Sequence, residues 1–362
     1  MQLRIAGLVI AAVITQASTS SADGEIQLRN AYYKEKSTRV TQPMIDARLD
    51  VGDEGELRPY ALVDVITSAS SASGAVDRAF TEKRFEIGTS YLHNVSKLFR
   101  VGGSLRFSDE PDYTSSYIGV KGIAELAERN STITVGGYLG SDDMDNSGGN
   151  GDIGSVITET MTTYLGSVGF SQILSPQIVA SVTYDVGYVR GYQANLYRLV
   201  NAGGTPFSER VPGKRVRHSG FVTVRGFVPQ TNTMIAPGYR YYRDSWGVVS
   251  HTPGVRVVQE ITSGLDLHAR YRYYRQTAAD FHKEVYDTAD PVMEPYLTDD
   301  FKLAAYRSHW YTLKLDVTFS TFGVKGKLGK ASADIAFTII KNTREERDAV
   351  TGQVAFTLPF EY

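Results

Sequence analysis

The sequence predicts an all-β protein, a single antiparallel transmembrane β-barrel of about sixteen strands within a range of roughly 14–18. Three observations predict it. The chain ends on an alternating, amphipathic stretch with a terminal aromatic. Many earlier segments alternate with the same period of two. The connections between them alternate between long loops and tight turns.

At the C-terminus, Phe356, Leu358, Phe360 and Tyr362 share one face of a strand, with Thr357, Pro359 and Glu361 between them. A closing strand of an outer-membrane barrel needs this pattern: lipid outside, water inside, an aromatic at the periplasmic interface, and a signature for the barrel-assembly machinery. An amphipathic edge strand of a soluble β domain is the alternative. At the other end, residues 1–22 read as a secretory signal peptide, with Arg4 as the positive n-region, an apolar run from Ile5 to Ile14, and the small residues Ser20 and Ala22 at a cleavage site. That run is far too short to span a bilayer as a helix. The expected organisation is therefore a cleaved signal over 1–22 and one barrel over 23–362, in the outer membrane of a Gram-negative cell.

Composition narrows the function. Later segments lack an uninterrupted apolar run of about eighteen residues, so a membrane-spanning mature chain has to be a closed barrel. The absence of cysteine excludes disulfides and thiolate metal sites. A formal net charge of −2 gives no support for nucleic-acid binding. Gly and Tyr are spread evenly, without a linker or a compositional shift, which favours one large unit over two domains.

The clearest alternations come first in the assignment of faces. Phe99, Val101, Gly103, Leu105 and Phe107 alternate with Arg100, Gly102, Ser104 and Arg106. Leu265, Leu267, Ala269, Tyr271 and Tyr273 alternate with Asp266, His268, Arg270, Arg272 and Tyr274. Tyr311, Leu313, Leu315, Val317 and Phe319 alternate with Trp310, Thr312, Lys314, Asp316 and Thr318, and Ala333, Ile335, Phe337 and Ile339 with Ser332, Asp334, Ala336 and Thr338. The apolar set in each faces lipid and the polar set the lumen. Tight turns are expected at 93–97, 127–130, 174–177, 229–232 and 261–264, and long loops at 68–81, 141–158, 193–214 and 277–305. Short periplasmic turns and longer extracellular loops are the asymmetry of outer-membrane barrels. Pro237 and Pro253 fall inside expected strands, where proline removes a ladder hydrogen bond, and the turn over 320–330 is long for the periplasmic side. Tyr184, Tyr188, Tyr239, Tyr241, Tyr271 and Tyr273 lie near strand ends on the lipid side, as an aromatic girdle does.

The middle of the chain resembles an uncharacterised family of outer-membrane barrels classed as a domain of unknown function. The resemblance is carried by Gly187-Tyr188-Val189-Arg190-Gly191-Tyr192 with Asn195-Leu196-Tyr197-Arg198, by Arg215-Val216-Arg217-His218, by 239–247 with Ser250-His251-Thr252, and by 270–274 with Ala278-Ala279-Asp280-Phe281. Ser68-Ala69-Ser70 and Gly74-Ala75-Val76-Asp77 look like the family's early loop. The resemblance implies a barrel in a Gram-negative outer membrane and brings no catalytic or ligand residues with it.

The expected working surface is the lumen. Its selectivity candidates are Arg100, Arg106, Arg217, Arg225, Arg240, Asp244, Arg256, Asp266, Arg270, Arg272, Lys314 and Asp316, joined by Lys121, Glu125 and Glu260. Opposed charges keep a wide barrel wet and can set a transverse field that screens solutes, or they can simply brace the wall. Asp143, Asp145, Ser147 and Gly148 match the opening of a calcium loop that runs to Asp152, but Gly154 stands where the bidentate Glu belongs, so a solvated acidic loop is the better reading. His218 beside Ser219 and His251 beside Ser250 are the nearest approach to a hydrolase, without a nucleophile elbow. Neither a phosphate loop nor a redox or zinc motif appears, so a cofactor is not expected.

The expected function is a non-enzymatic, porin-like channel for transport of small polar solutes. The alternatives are an export conduit for an exopolysaccharide or other cargo working with a periplasmic partner, in which Tyr242 and Tyr274 stack on sugars, and a barrel hydrolase.

Overall fold

The computed structural model describes residues 23–361 except 70–78, 146–156, 197 and 345–346. The expected signal peptide, Tyr362, most of the early loop motif and Asp152 lie outside these residues. In chain order the strands are β1 (Asp23–Glu35), β2 (Thr38–Val51), β3 (Gly55–Ala69), β4 (Ala79–Ser96), β5 (Phe99–Asp109), β6 (Tyr113–Leu126), β7 (Ser131–Asp145), β8 (Thr158–Ser175), β9 (Ile178–Gly191), β10 (Leu199–Ala202), β11 (Thr205–Ser208), β12 (Lys214–Val228), β13 (Thr233–Asp244), β14 (Val249–Thr262), β15 (Leu265–Gln276), β16 (Tyr306–Thr318), β17 (Ser332–Asn342) and β18 (Ala349–Glu361). All but β10 and β11 form one closed antiparallel barrel of sixteen strands, each beside its chain neighbour, with β9 passing directly to β12. The seam runs from Asp23 opposite Glu361 to Glu35 opposite Ala349, so the barrel has no free edge.

Period-two alternation sorts the wall as expected. Arg270, Arg272 and Tyr274 line the interior, so Leu267, Ala269 and Tyr271 face outward. Across the ladders one outward row reads Ile235, Val257, Ala269, Leu313, Phe337. Leu313 and Phe337 are 60% and 50% exposed. An apolar exterior this open has no protein to bury it, and it satisfies its backbone only through barrel closure. Tyr184, Tyr239, Tyr241 and Tyr271 are likewise exposed and outward.

The two prolines cost one local break each. Pro237 pairs with Val255, while the β12–β13 ladder is interrupted, in unchanged register, between Thr223–Gly238 and Gly226–Ile235. Pro253 pairs with Tyr239, while the β14–β15 ladder is interrupted in the same way between His251–Arg275 and Gly254–Arg272. Both prolines therefore turn their missing N–H away from the β13–β14 ladder, and Thr223 Oγ1 donates to the Pro237 carbonyl at 2.9 Å in partial compensation. The strand count survives both.

One end of the barrel carries tight turns, the other most of the long loops. The exception on the turn end, residues 319–331, folds into short 3-10 turns (Phe319–Phe322 and Lys327–Lys330) packed under the rim. Gly264 sits beneath them at φ +102°, where a Cβ would lie 2.7 Å from Thr321 Oγ1, so only glycine fits. On the loop end, the β10–β11 hairpin and residues 277–305 build a cap with its own core. Val200, Ala202, Tyr286 and Leu297 are buried together, and Trp246, Val248, Ala279 and Leu303 form a second cluster. Bridges join Ala202 to Tyr286 and Arg210 to Leu297. Glu209 accepts from Thr298 Oγ1 and the Asn195 N–H, both at 2.6 Å, and its burial raises the carboxyl above the usual range.

Candidate functional site

The lumen holds two chambers on opposite walls. The larger, 1060 Å³, is bounded by β12–β17 and the loop end of β1. Seven cationic side chains line it (Arg225, Arg240, Arg256, Arg270, Arg272, Lys302 and Arg347) against the single carboxylate of Glu35. Register explains the grouping. Arg256 is directly opposite Arg270, and Gly238 opposite Gly254, with Arg272 next across the sheet. The two glycines leave the centre of this wall without side chains of its own, and the Phe221 ring lies 3.1 Å from where a Gly238 Cβ would stand. Arg240 donates to Ser219 Oγ at 3.0 Å and lies 5.2 Å from the Phe221 ring centroid; Arg272 lies 3.7 Å over Trp310. Asp185, 4.0 Å from Arg240, is its nearest acid. Like charges on facing strands repel, and guanidiniums stay protonated, so the wall holds a standing positive field.

The second chamber, 940 Å³, lies against β1–β8 and mixes Arg29, Arg48, Arg58 and Arg106 with Glu25, Asp46 and Glu86. Arg106 lies 4.1 Å over the Tyr117 ring. Toward the loop end this wall turns acidic. Asp64, Glu86, Asp112 and Asp142 are buried there, with Arg84 as bridge to Asp64 and, at 3.8 and 3.9 Å, to Glu86 and Glu110. Carboxylates face arginines across the lumen.

Several expected residues do other work. Asp244 has a fully buried side chain that accepts from Arg215, from the Tyr242 hydroxyl at 2.7 Å, and from the Trp246 and Val248 N–H groups at 2.9 and 3.1 Å. It clasps the β13–β14 connection, and Arg215, absent from the expected set, is its partner. Arg217, directly opposite Asp244 across the β12–β13 ladder, faces the lumen but does not line the chamber. Asp266 and Asp316 do not neutralise the arginine wall either. Asp266 lies four residues from Arg270 along β15, about 13 Å at ~3.3 Å per residue. It pairs instead with Glu260 and Asp316, which continues to Asp334, an acidic row at the turn end. Lys314 at 2.7 Å and His268 at 2.6 Å serve Asp316. Arg100 holds Glu125 at 3.3 Å at the same end. Lys302 and Arg347 come from loops and carry no sequence periodicity.

The strand β7 continues through Asp145, so Asp143 and Asp145 are not loop residues as the calcium pattern supposed; they pair with Thr114, Thr160 and Thr158 on the outer face. Among the described residues, Glu82, Glu110 and Asp112 bring carboxylate oxygens within 4.8 Å of one another, but the Arg84 guanidinium already supplies positive charge there. Nor do the Ser–His neighbours assemble: His218 and His251 face outward onto Tyr184 and Tyr239, whereas Ser219 faces the lumen and Ser250 is buried.

Glu110, in the β5–β6 turn, is raised from 4.5 to about 7, chiefly by burial. The folded state thus holds a proton that the unfolded state releases near 4.5, so this contribution is intact below that pH and lost as pH rises through about 7. Thermal unfolding of Glu110→Gln against wild type is expected to show a wild-type decline between these values that the variant lacks. Parallel profiles would show that Glu110 does not titrate there.

The fold and lumen define a class: a closed antiparallel barrel with an apolar exterior and a charged interior. Residues 153–336 match the family described as protein of unknown function (DUF3570), and the chain belongs to that family. The early loop motif falls outside the matched residues. No protein of curated function matches the chain. Among solved structures, the chain is similar to the siderophore receptor PirA from Pseudomonas aeruginosa, at 10% identity and a TM-score of 0.46 over 90% of this chain and 57% of the receptor. It is similar also to a BenF-like porin from Pseudomonas fluorescens Pf-5 (9%, TM-score 0.45, 94% of this chain and 99% of that one). The outer membrane protein OpdK from Pseudomonas aeruginosa matches at 7% and a TM-score of 0.47, over 94% and 99% of the two chains.

Proposed function

We propose that this protein is an outer-membrane channel that passes small polar solutes by diffusion, favours anions, and performs no catalysis. Residues 1–22 serve as its export signal, and the turn end faces the periplasm. The observation that carries this reading is the arginine wall: five guanidiniums on β12–β15 crowd one chamber of a closed barrel with a single carboxylate among its lining groups. A wall that served only to brace the barrel would pair its charges, as Lys314 and Asp316 do at the floor. Five guanidiniums with one bridging carboxylate, Asp185 at 4.0 Å from Arg240, instead leave an excess of positive charge that lowers the barrier for an anion and raises it for a cation. The export-conduit alternative has less support, because the Tyr274 ring is already packed against Tyr306 at 5.4 Å and the Tyr242 ring against the Trp246–Leu303 cluster.

Planar-bilayer recording tests the proposal. Purified protein is expected to conduct steadily, with a reversal potential in a salt gradient that reports anion preference. Replacing Arg240, Arg270 and Arg272 by Gln is expected to raise the cation-to-anion permeability ratio with folding intact. A closed wild-type barrel would sink the channel reading; an unchanged ratio in a conducting variant would make the three arginines wall support.

A further inference from the structure

The outer face above β13–β17 is graded in register. Over the aliphatic row of Val257, Leu313 and Phe337 lies a row with Tyr271 and Tyr311, then one with Tyr273, His309 and Lys341, then one with Tyr241, His251, Arg275 and Arg307. Arg243 projects from β13 beside His218, one step nearer the loops. The tyrosines are pinned by outward histidines: Tyr239 to His251 at 2.5 Å and Tyr271 to His309 at 2.9 Å.

Arg243, Arg275 and Arg307 are exposed and make no ion pair among the described residues. Arg275 and Arg307 are direct cross-strand partners, an arrangement that is repulsive unless an anion lies between them. The outward carboxylates Asp109, Asp143 and Asp145 stand elsewhere, on β5 and β7, and Asp348, beside the patch, is taken up by Lys341 at 2.6 Å and by the Asn342 N–H at 2.8 Å. We infer that this patch binds the phosphorylated headgroup of an outer-leaflet glycolipid, with the guanidiniums on its phosphates and the tyrosine–histidine rows at the start of its acyl chains. The inference rests on the outer-membrane reading above.

Two physical points select the ligand. A guanidinium presents a fork of donors that matches phosphate oxygens, so neighbouring arginines suit a phosphate better than a single carboxylate. The rows immediately below are aromatic and then aliphatic, so the occupant must be an amphiphile with an anionic head, not a free ion. A soluble anion would gain nothing from Tyr271, Tyr311 and Leu313.

The test uses full-length protein in neutral detergent, with native mass spectrometry to count bound lipid. The probes are lipid A carrying both phosphates, dephosphorylated lipid A, and inorganic phosphate as competitor. Wild type is expected to bind the phosphorylated form at least tenfold more tightly than does the R243Q/R275Q/R307Q variant. The R243K/R275K/R307K variant, which keeps the charge but loses the fork, is expected to bind between wild type and the Gln variant, and heat-modifiable migration checks that each variant is folded. Equal binding by wild type and the Gln variant, equal binding of dephosphorylated lipid, or displacement by inorganic phosphate would each overturn the inference. Cell fractionation of wild type reads the underlying placement separately. A wild type outside the outer membrane defeats that placement; one within it, whose Gln variant still binds lipid A normally, defeats the lipid site alone.

Discussion

Truncation after Ala355 is expected to abolish stable insertion. β18 supplies both flanks of the seam, to β1 from Asp23–Glu361 onward and to β17 from Ser332–Thr357 onward. Removing its last residues strips the ladder from the first half of β1 and opens backbone donors and acceptors to the bilayer interior, at several kcal/mol for each group left unsatisfied. Phe356 and Leu358, both outward and exposed, go with it. The measurement is heat-modifiable, protease-resistant protein in the outer-membrane fraction; normal assembly of the truncated chain would remove the ground for the closing-strand assignment.

The second large effect separates the two faces of β16. Leu315 stands outward between Leu267 and Ile335, and Val317 between Leu265 and Ala333. Arg at Leu315 is expected to destabilise by roughly 2–4 kcal/mol if the site lies near the midplane, and Arg at Val317 by the same or less. Thr312, on the lumen face between Arg270 and Thr338, shares a hydroxyl hydrogen bond with Thr338 at 2.8 Å. Thr312→Arg extends the arginine row into water, so it is expected to fold and to strengthen anion preference. Denaturant titration in lipid vesicles ranks the three, and the opposite order would place the register of β16 one residue off.

The fold was legible because a barrel repeats one local rule. Parity alone assigned Phe99 to Phe107, Tyr271 and Leu315 to their faces, and loop length separated the two ends. The arginine wall was half legible. Parity put Arg225, Arg240, Arg256, Arg270 and Arg272 inside, but register is a property of pairs of strands, so their common chamber was hidden. The same blindness misassigned Asp244 and Asp266. A carboxylate near arginines in sequence can be spent elsewhere, on Arg215 or beside Asp316, once the strands shear past one another. The cap was illegible for a different reason. β10 and β11 have four residues each, too few to show a period, and their burial depends on Tyr286 and Leu297 some ninety positions away. Lys302 and Arg347 reach the lumen only because those loops fold.

The cap bears on how selection operates in time. Its two apolar clusters and the Glu209–Thr298 clasp are in place before any solute arrives, so the conformational entropy of these long loops is lost once, during folding. A floppy mouth would impose part of that loss on every crossing, and would slow all solutes alike. Here Phe301 stays stacked under Arg347 at 3.8 Å and Lys302 already borders the chamber. On the channel reading proposed above, every solute would meet the same preordered mouth, so a difference in transit rates would come from charge and not from loop ordering.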